Sequence, residues 1–161
     1  MKLFYFLSLA LLPFLYACDS TIEKEEYTNF DNNIWEYDSI SSFEFKVNEV
    51  NRSHNLLFNI RYSLEYPHYN LFVIYDLIKG QDTLSNNEMT EFNLMHPQKG
   101  APFGESSEVL GNGIAIYTLQ LPLQQNIKLD TGTYQLNLKH YMRPDSLNGV
   151  QAIGYRIEYA E

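Results

Sequence analysis

Asp130-Thr131-Gly132-Thr133-Tyr134-Gln135-Leu136-Asn137-Leu138 opens with turn-forming residues and continues as a strict alternation of apolar and polar side chains. Period-two alternation is the mark of a strand with one buried face, because successive side chains leave opposite sides of the pleat. The Asp-x-Gly-x-Tyr form also matches the tyrosine corner of immunoglobulin-like sandwiches, where the hydroxyl bonds back to the chain leading into the strand. Leu136 stands two residues on, where antibody domains carry a cysteine, so this corner implies a sandwich without the disulfide.

The same period extends outward from this strand. Upstream, Phe43, Phe45 and Val47 alternate with Glu44, Lys46 and Asn48, and Leu56, Phe58, Ile60 and Tyr62 alternate with Asn59 and Arg61. Leu71 to Ile78 is almost continuously apolar and reads as a central strand covered on both faces. Gly80-Gln81-Asp82 turns the chain into a strand near Thr83-Leu84, Glu88 to Met95 gives a weaker one, and Ile114 to Leu123 sets Tyr117, Leu119 and Leu121 on one face. Downstream, Ile153, Tyr155, Ile157 and Tyr159 alternate with Gly154, Arg156 and Glu158. The expected fold is all-β: an antiparallel β-sandwich, immunoglobulin-like or jelly-roll-like, of seven to eight strands. Only Asn86 to Met89 and Glu105 to Leu110 offer a turn or two of helix, and the long stretch from His96 to Gly113 reads as irregular. Thirteen tyrosines and ten phenylalanines suit the strands, where aromatic rings pack on a pleated surface.

The start of the chain has a different character. Met1-Lys2 supplies one charge, an apolar run follows from Leu3 to Tyr16, and Leu15-Tyr16-Ala17-Cys18 reads as a lipobox. The run is too short to span a membrane and fits a secretory signal peptide. Tyr16 is bulkier than the residue usual at its position, whereas small Ala17 fits. Cys18 is the only cysteine in 161 residues and falls where the apolar run ends, so it is expected to be the lipidated first residue of the mature protein. Acyl chains such as palmitate would tether the protein to a membrane without spanning it. The expected organisation is a signal peptide at 1–17, a flexible acidic tether at 18–30 and a β-sandwich domain at 31–161, placed in the cell envelope at the outer membrane with the leaflet open.

A formal net charge of −9 and the lack of a Lys/Arg cluster argue against nucleic acid as a partner. The four histidines, His54, His68, His96 and His140, lie far apart in the chain and form no metal-ligand spacing. Asp31-Asn32-Asn33 lacks the surrounding pattern of a calcium loop, so a turn is favoured there. Gly104-Glu105-Ser106-Ser107 lacks the closing glycine of a nucleophile elbow. No catalytic residue, metal or cofactor is therefore assigned. Candidate interaction residues are Trp35, Tyr66, His68, Tyr69, Arg143 and Asp145, in clusters flanking strands. A buried Trp35 closing one end of the sandwich is favoured over an exposed one, and an Arg143–Asp145 bridge within one loop over a recognition role.

Several short motifs run in order through the mature chain. They are Cys18-Asp19-Ser20, Asp31-Asn32-Asn33-Ile34-Trp35, Asn59-Ile60-Arg61, Tyr66-Pro67, Asn70-Leu71-Phe72, Gly132-Thr133-Tyr134, Met142-Arg143-Pro144-Asp145-Ser146-Leu147 with Gly149-Val150, and Gly154 to Ile157. Together they resemble the GldH family of gliding-motility lipoproteins. The resemblance implies a non-enzymatic envelope lipoprotein, a structural or interaction component of the gliding motility and associated protein-secretion apparatus, whose partners are other envelope proteins. The segment from Gly100 to Gly113 departs from the family in detail. A glycan- or peptide-binding lipoprotein using exposed Trp35, Tyr66 and Tyr69 is the alternative, and a hydrolase with spatially assembled carboxylates is a more distant third.

Overall fold

The computed structural model describes residues 21–49, 51–109 and 113–160. The expected signal peptide, Cys18 and the first tether residues lie outside these. The described chain folds into antiparallel strands, with one 3-10 turn at Asp31–Asn33 as its helical element. Eleven strands form, more than the seven to eight expected: β1 (Ile22–Asn29), β2 (Ile34–Glu36), β3 (Ser41–Val47), β4 (Ser53–Ser63), β5 (Asn70–Lys79), β6 (Asp82–Asn93), β7 (Glu105–Val109), β8 (Ala115–Lys128), β9 (Gly132–His140), β10 (Ser146–Asn148) and β11 (Val150–Tyr159). They make three sheets: β1-β11-β4-β8-β7, β3-β9-β5-β6, and the small pair β10-β2.

The alternating residues read from the sequence are those that meet in the core. Phe43, Phe45 and Val47 of β3 and Tyr134, Leu136 and Leu138 of β9 are buried, as are Leu56, Phe58, Ile60 and Tyr62 of β4 and Ile153, Tyr155 and Ile157 of β11. Rings from the two larger sheets meet directly: Phe58 stacks on Phe92 at 5.5 Å with 4° between planes, and Phe45 packs tilted against Tyr155 at 5.4 Å. At the corner, the Tyr134 hydroxyl donates to the Asp130 carbonyl at 2.8 Å, as the motif required.

Four expectations need correction. Ile22–Asn29, expected within a flexible tether, is a full strand paired along β11 from Glu158 to Ala152. Its polar side chains are matched by distant partners: Glu25 accepts from Asn59 Nδ2 at 2.7 Å and Arg156 Nη2 at 3.0 Å, and Lys24 Nζ donates to the Glu44 carbonyl at 2.6 Å. Glu105 to Val109, expected as loop or a turn of helix, pairs with β8 as an edge strand. The expected helical turn at Asn86 to Met89 lies inside β6, one continuous strand with a register shift opposite Tyr75 and Leu77. Finally, β5 is interior to its sheet, yet only one of its faces packs on the core. Leu71, Val73, Tyr75 and Leu77 point inward; on the other face Ile74 is buried outside the main core, while Phe72 and Ile78 stay half-buried.

One end of the strands carries the β3–β4, β5–β6 and β8–β9 connections together with the start of β1. The other carries β2, β10 and the segments 64–69, 94–104 and 141–145. The candidate site lies at this second end.

Candidate functional site

The residues singled out in the sequence divide sharply once folded. Trp35, on β2, is fully buried: its ring stacks on Phe30 at 5.6 Å, meets His140 edge-on at 5.2 Å, and its Nε1–H donates to the Ser39 carbonyl at 3.3 Å. The small β10–β2 pair, with Leu147 opposite Trp35, closes the end of the core over it. Tyr66 is buried too. Its hydroxyl donates to the Asn70 carbonyl at 2.8 Å, and burial raises its pKa well above the ordinary phenol value. Gly149, at φ +78°, lets this end close, because a Cβ there would meet the Tyr66 backbone nitrogen at 2.3 Å. Both aromatics are structural.

Tyr69 keeps an exposed ring, while its carbonyl accepts from the Leu94 and Met95 amides at 2.8 and 3.1 Å. His68 and Arg143 meet at a groove of about 450 Å³ that also takes in Phe72, Met89, Tyr141, Met142 and Pro144. Phe72 of β5 and Met89 of β6, from neighbouring strands of one sheet, contribute to it. Its wall is the segment after β9. The Tyr141 amide donates to the Phe72 carbonyl at 2.8 Å, and the Phe72 amide donates to Met142 Sδ at 3.3 Å, which fastens that segment across β5. Met89 and Tyr141 are each more than half exposed at its mouth.

A second hollow of about 300 Å³ lies on the other side of the 141–143 ridge, between Tyr37 and Asp145. The backbone holds it in place, with the Tyr37 amide donating to the Asp145 carbonyl at 2.7 Å. The expected Arg143–Asp145 bridge is not made. Among the described residues Arg143 forms no ion pair, so its guanidinium stands free at the lip of an apolar surface. His140, beneath the ridge, touches Trp35 and Tyr37 edge-on and accepts from the Met142 amide through Nδ1 at 3.4 Å. Burial lowers its pKa and keeps it neutral, although its backbone contact at Trp35 opposes this.

Phe72, Met89, Tyr141 and Met142 carry the groove and were not among the candidate residues. The signal available was β5 itself: its apolar run also sets Phe72, Ile74 and Ile78 on the face away from the core, where only Ile74 is buried. Among the described residues no group of three or more Asp, Glu, His or Cys side chains converges on a metal-sized site.

The fold and groove define a small all-β domain with an apolar concavity, at whose rim Arg143 makes no ion pair among the described residues. The chain belongs to the GldH lipoprotein family, whose profile matches residues 23–157. It is also similar to the gliding motility lipoprotein GldH of Flavobacterium johnsoniae, 26% identical over 152 residues that cover 89% of each chain.

Proposed function

We propose that this protein is a non-enzymatic, lipid-anchored component of the gliding motility and protein-secretion apparatus, which holds another envelope protein in the groove beside Tyr141. Family membership supports the system, and the groove supports the mode of action. The observation that carries the second part is an apolar groove beside Arg143, which makes no ion pair among the described residues, in a chain of net charge −9. Exposed apolar surface of this kind marks interaction sites, and a free guanidinium at its lip selects a segment carrying a carboxylate next to an apolar side chain. The anchor is acyl chains on Cys18, at the outer membrane, and the fold is read as a β-sandwich. The glycan-binding alternative is weakened, because two of its three proposed stacking rings, Trp35 and Tyr66, are buried.

The test is capture from gently solubilised envelopes with the tagged, lipidated protein. Motility or secretion components should be enriched over an unrelated lipoprotein control, and Tyr141→Ala combined with Arg143→Glu should lose them. Cell spreading should fail in a deletion strain and in that double variant. Normal spreading of the deletion strain would sink the proposal, and capture of carbohydrate-uptake components would favour the glycan reading.

A further inference from the structure

The start of β1 fixes where an anchor can pull. The Tyr159 amide donates to the Thr21 carbonyl at 2.8 Å, and pairing continues from Ile22. Tyr159 also donates its hydroxyl to Glu23 Oε1 at 2.6 Å, with the Arg52 guanidinium 3.6 Å above its ring. Buried His54 brings Nε2 to 3.0 Å from Glu23 Oε2. The chain is therefore tied into the domain from Thr21 onward. Cys18 is three residues earlier, and three residues reach about 10 Å at full extension.

The groove is at the opposite end. From Lys79, at the anchored end of β5, to Phe72 in the groove is seven residues, or about 23 Å at the strand rise of about 3.3 Å. A tether of about 10 Å cannot span that distance, so the domain cannot invert to stand on its groove end.

We infer that the lipidated protein stands upright and close on its leaflet. Residues 48–49, 51–52, 80–81 and 129–131 lie against the headgroups, and the groove is held roughly 20–30 Å into the aqueous space. This rests on Cys18 being the anchor, as proposed above. It points to a partner that reaches the groove from the water-filled side.

The experiment uses the full lipidated protein in vesicles of phosphatidylethanolamine and phosphatidylglycerol, with a donor fluorophore on a new cysteine at Gln81→Cys or at Gln98→Cys. These positions are exposed and at opposite ends of the strands. Energy transfer to an acceptor on the lipid headgroups should be severalfold stronger from position 81 than from position 98. Inserting a Gly/Ser linker of about 20 residues between Ser20 and Thr21, with r.m.s. length near 25 Å, should shrink that difference. Equal transfer from both positions in the natural-length protein, or stronger transfer from position 98, overturns the posture. Flotation with the vesicles is scored separately. If the unsubstituted protein does not float, or Cys18→Ala floats equally well, the anchor reading fails.

Discussion

Single side chains hold this fold at points that can be tested one at a time. The Tyr134 hydroxyl bonds the Asp130 carbonyl while its ring stacks on Phe45 at 5.3 Å. Tyr134→Phe keeps the stacking and deletes the bond, so it should lower unfolding free energy by about 1 kcal/mol in urea titrations. His140 sets a pH dependence. Its folded pKa lies below the ordinary 6.5, so below that value the unfolded chain takes up a proton that the folded one resists. Stability should therefore be full above about 6.5 and fall as the pH drops beneath it. His140→Gln should flatten the urea-midpoint profile between about pH 7 and 5, and an unchanged slope would assign the loss elsewhere.

Among the elements, β1 departs furthest from expectation. It lies against β11 only because Gly154 has no side chain, as a Cβ there would meet the Glu26 carbonyl oxygen at 2.1 Å. Gly154→Ala should loosen β1, raising amide exchange over residues 22–29 by at least tenfold while the β3–β9 pairing stays protected. Starting the chain at residue 31 should be worse, because it exposes the β11 edge to other chains. Such a protein should melt several degrees lower than one starting at residue 21 and should aggregate on concentration. The short β2 and β10 strands act together at the other end, where Trp35 and Leu147 seal the core.

At the scale of the molecule, the two larger sheets share one core, and the groove lies outside it. Phe58 is fully buried between them against Phe92 and Trp35. Phe58→Ala should cost about 3–5 kcal/mol and lower the melting temperature cooperatively. Tyr141→Ala, at a half-exposed ring, should stay within about 0.5 kcal/mol of the unsubstituted protein by the same measurement. A large loss at Tyr141 would show that the groove wall supports the core, and loss of partner capture could not then be read as recognition.

The sequence by itself determined the strand character, the inward faces of β3, β4, β9 and β11, and the tyrosine corner, because each follows from side-chain period or a local bond. It also carried the motifs of the family. His68 and Arg143 stood out as candidates from their loops, but the groove that both line was not legible. Tertiary structure decided that groove, since Phe72, Met89 and Tyr141 become neighbours only when β5, β6 and the end of β9 lie side by side. It decided β1 for the same reason. Ile22-Glu23-Lys24-Glu25-Glu26 is too polar to order itself, and it becomes a strand because Asn59, Arg156, Tyr159 and the Glu44 carbonyl, all remote in the chain, satisfy its charges. A periodic pattern records which face is buried, whereas pairing between distant polar groups leaves no local trace.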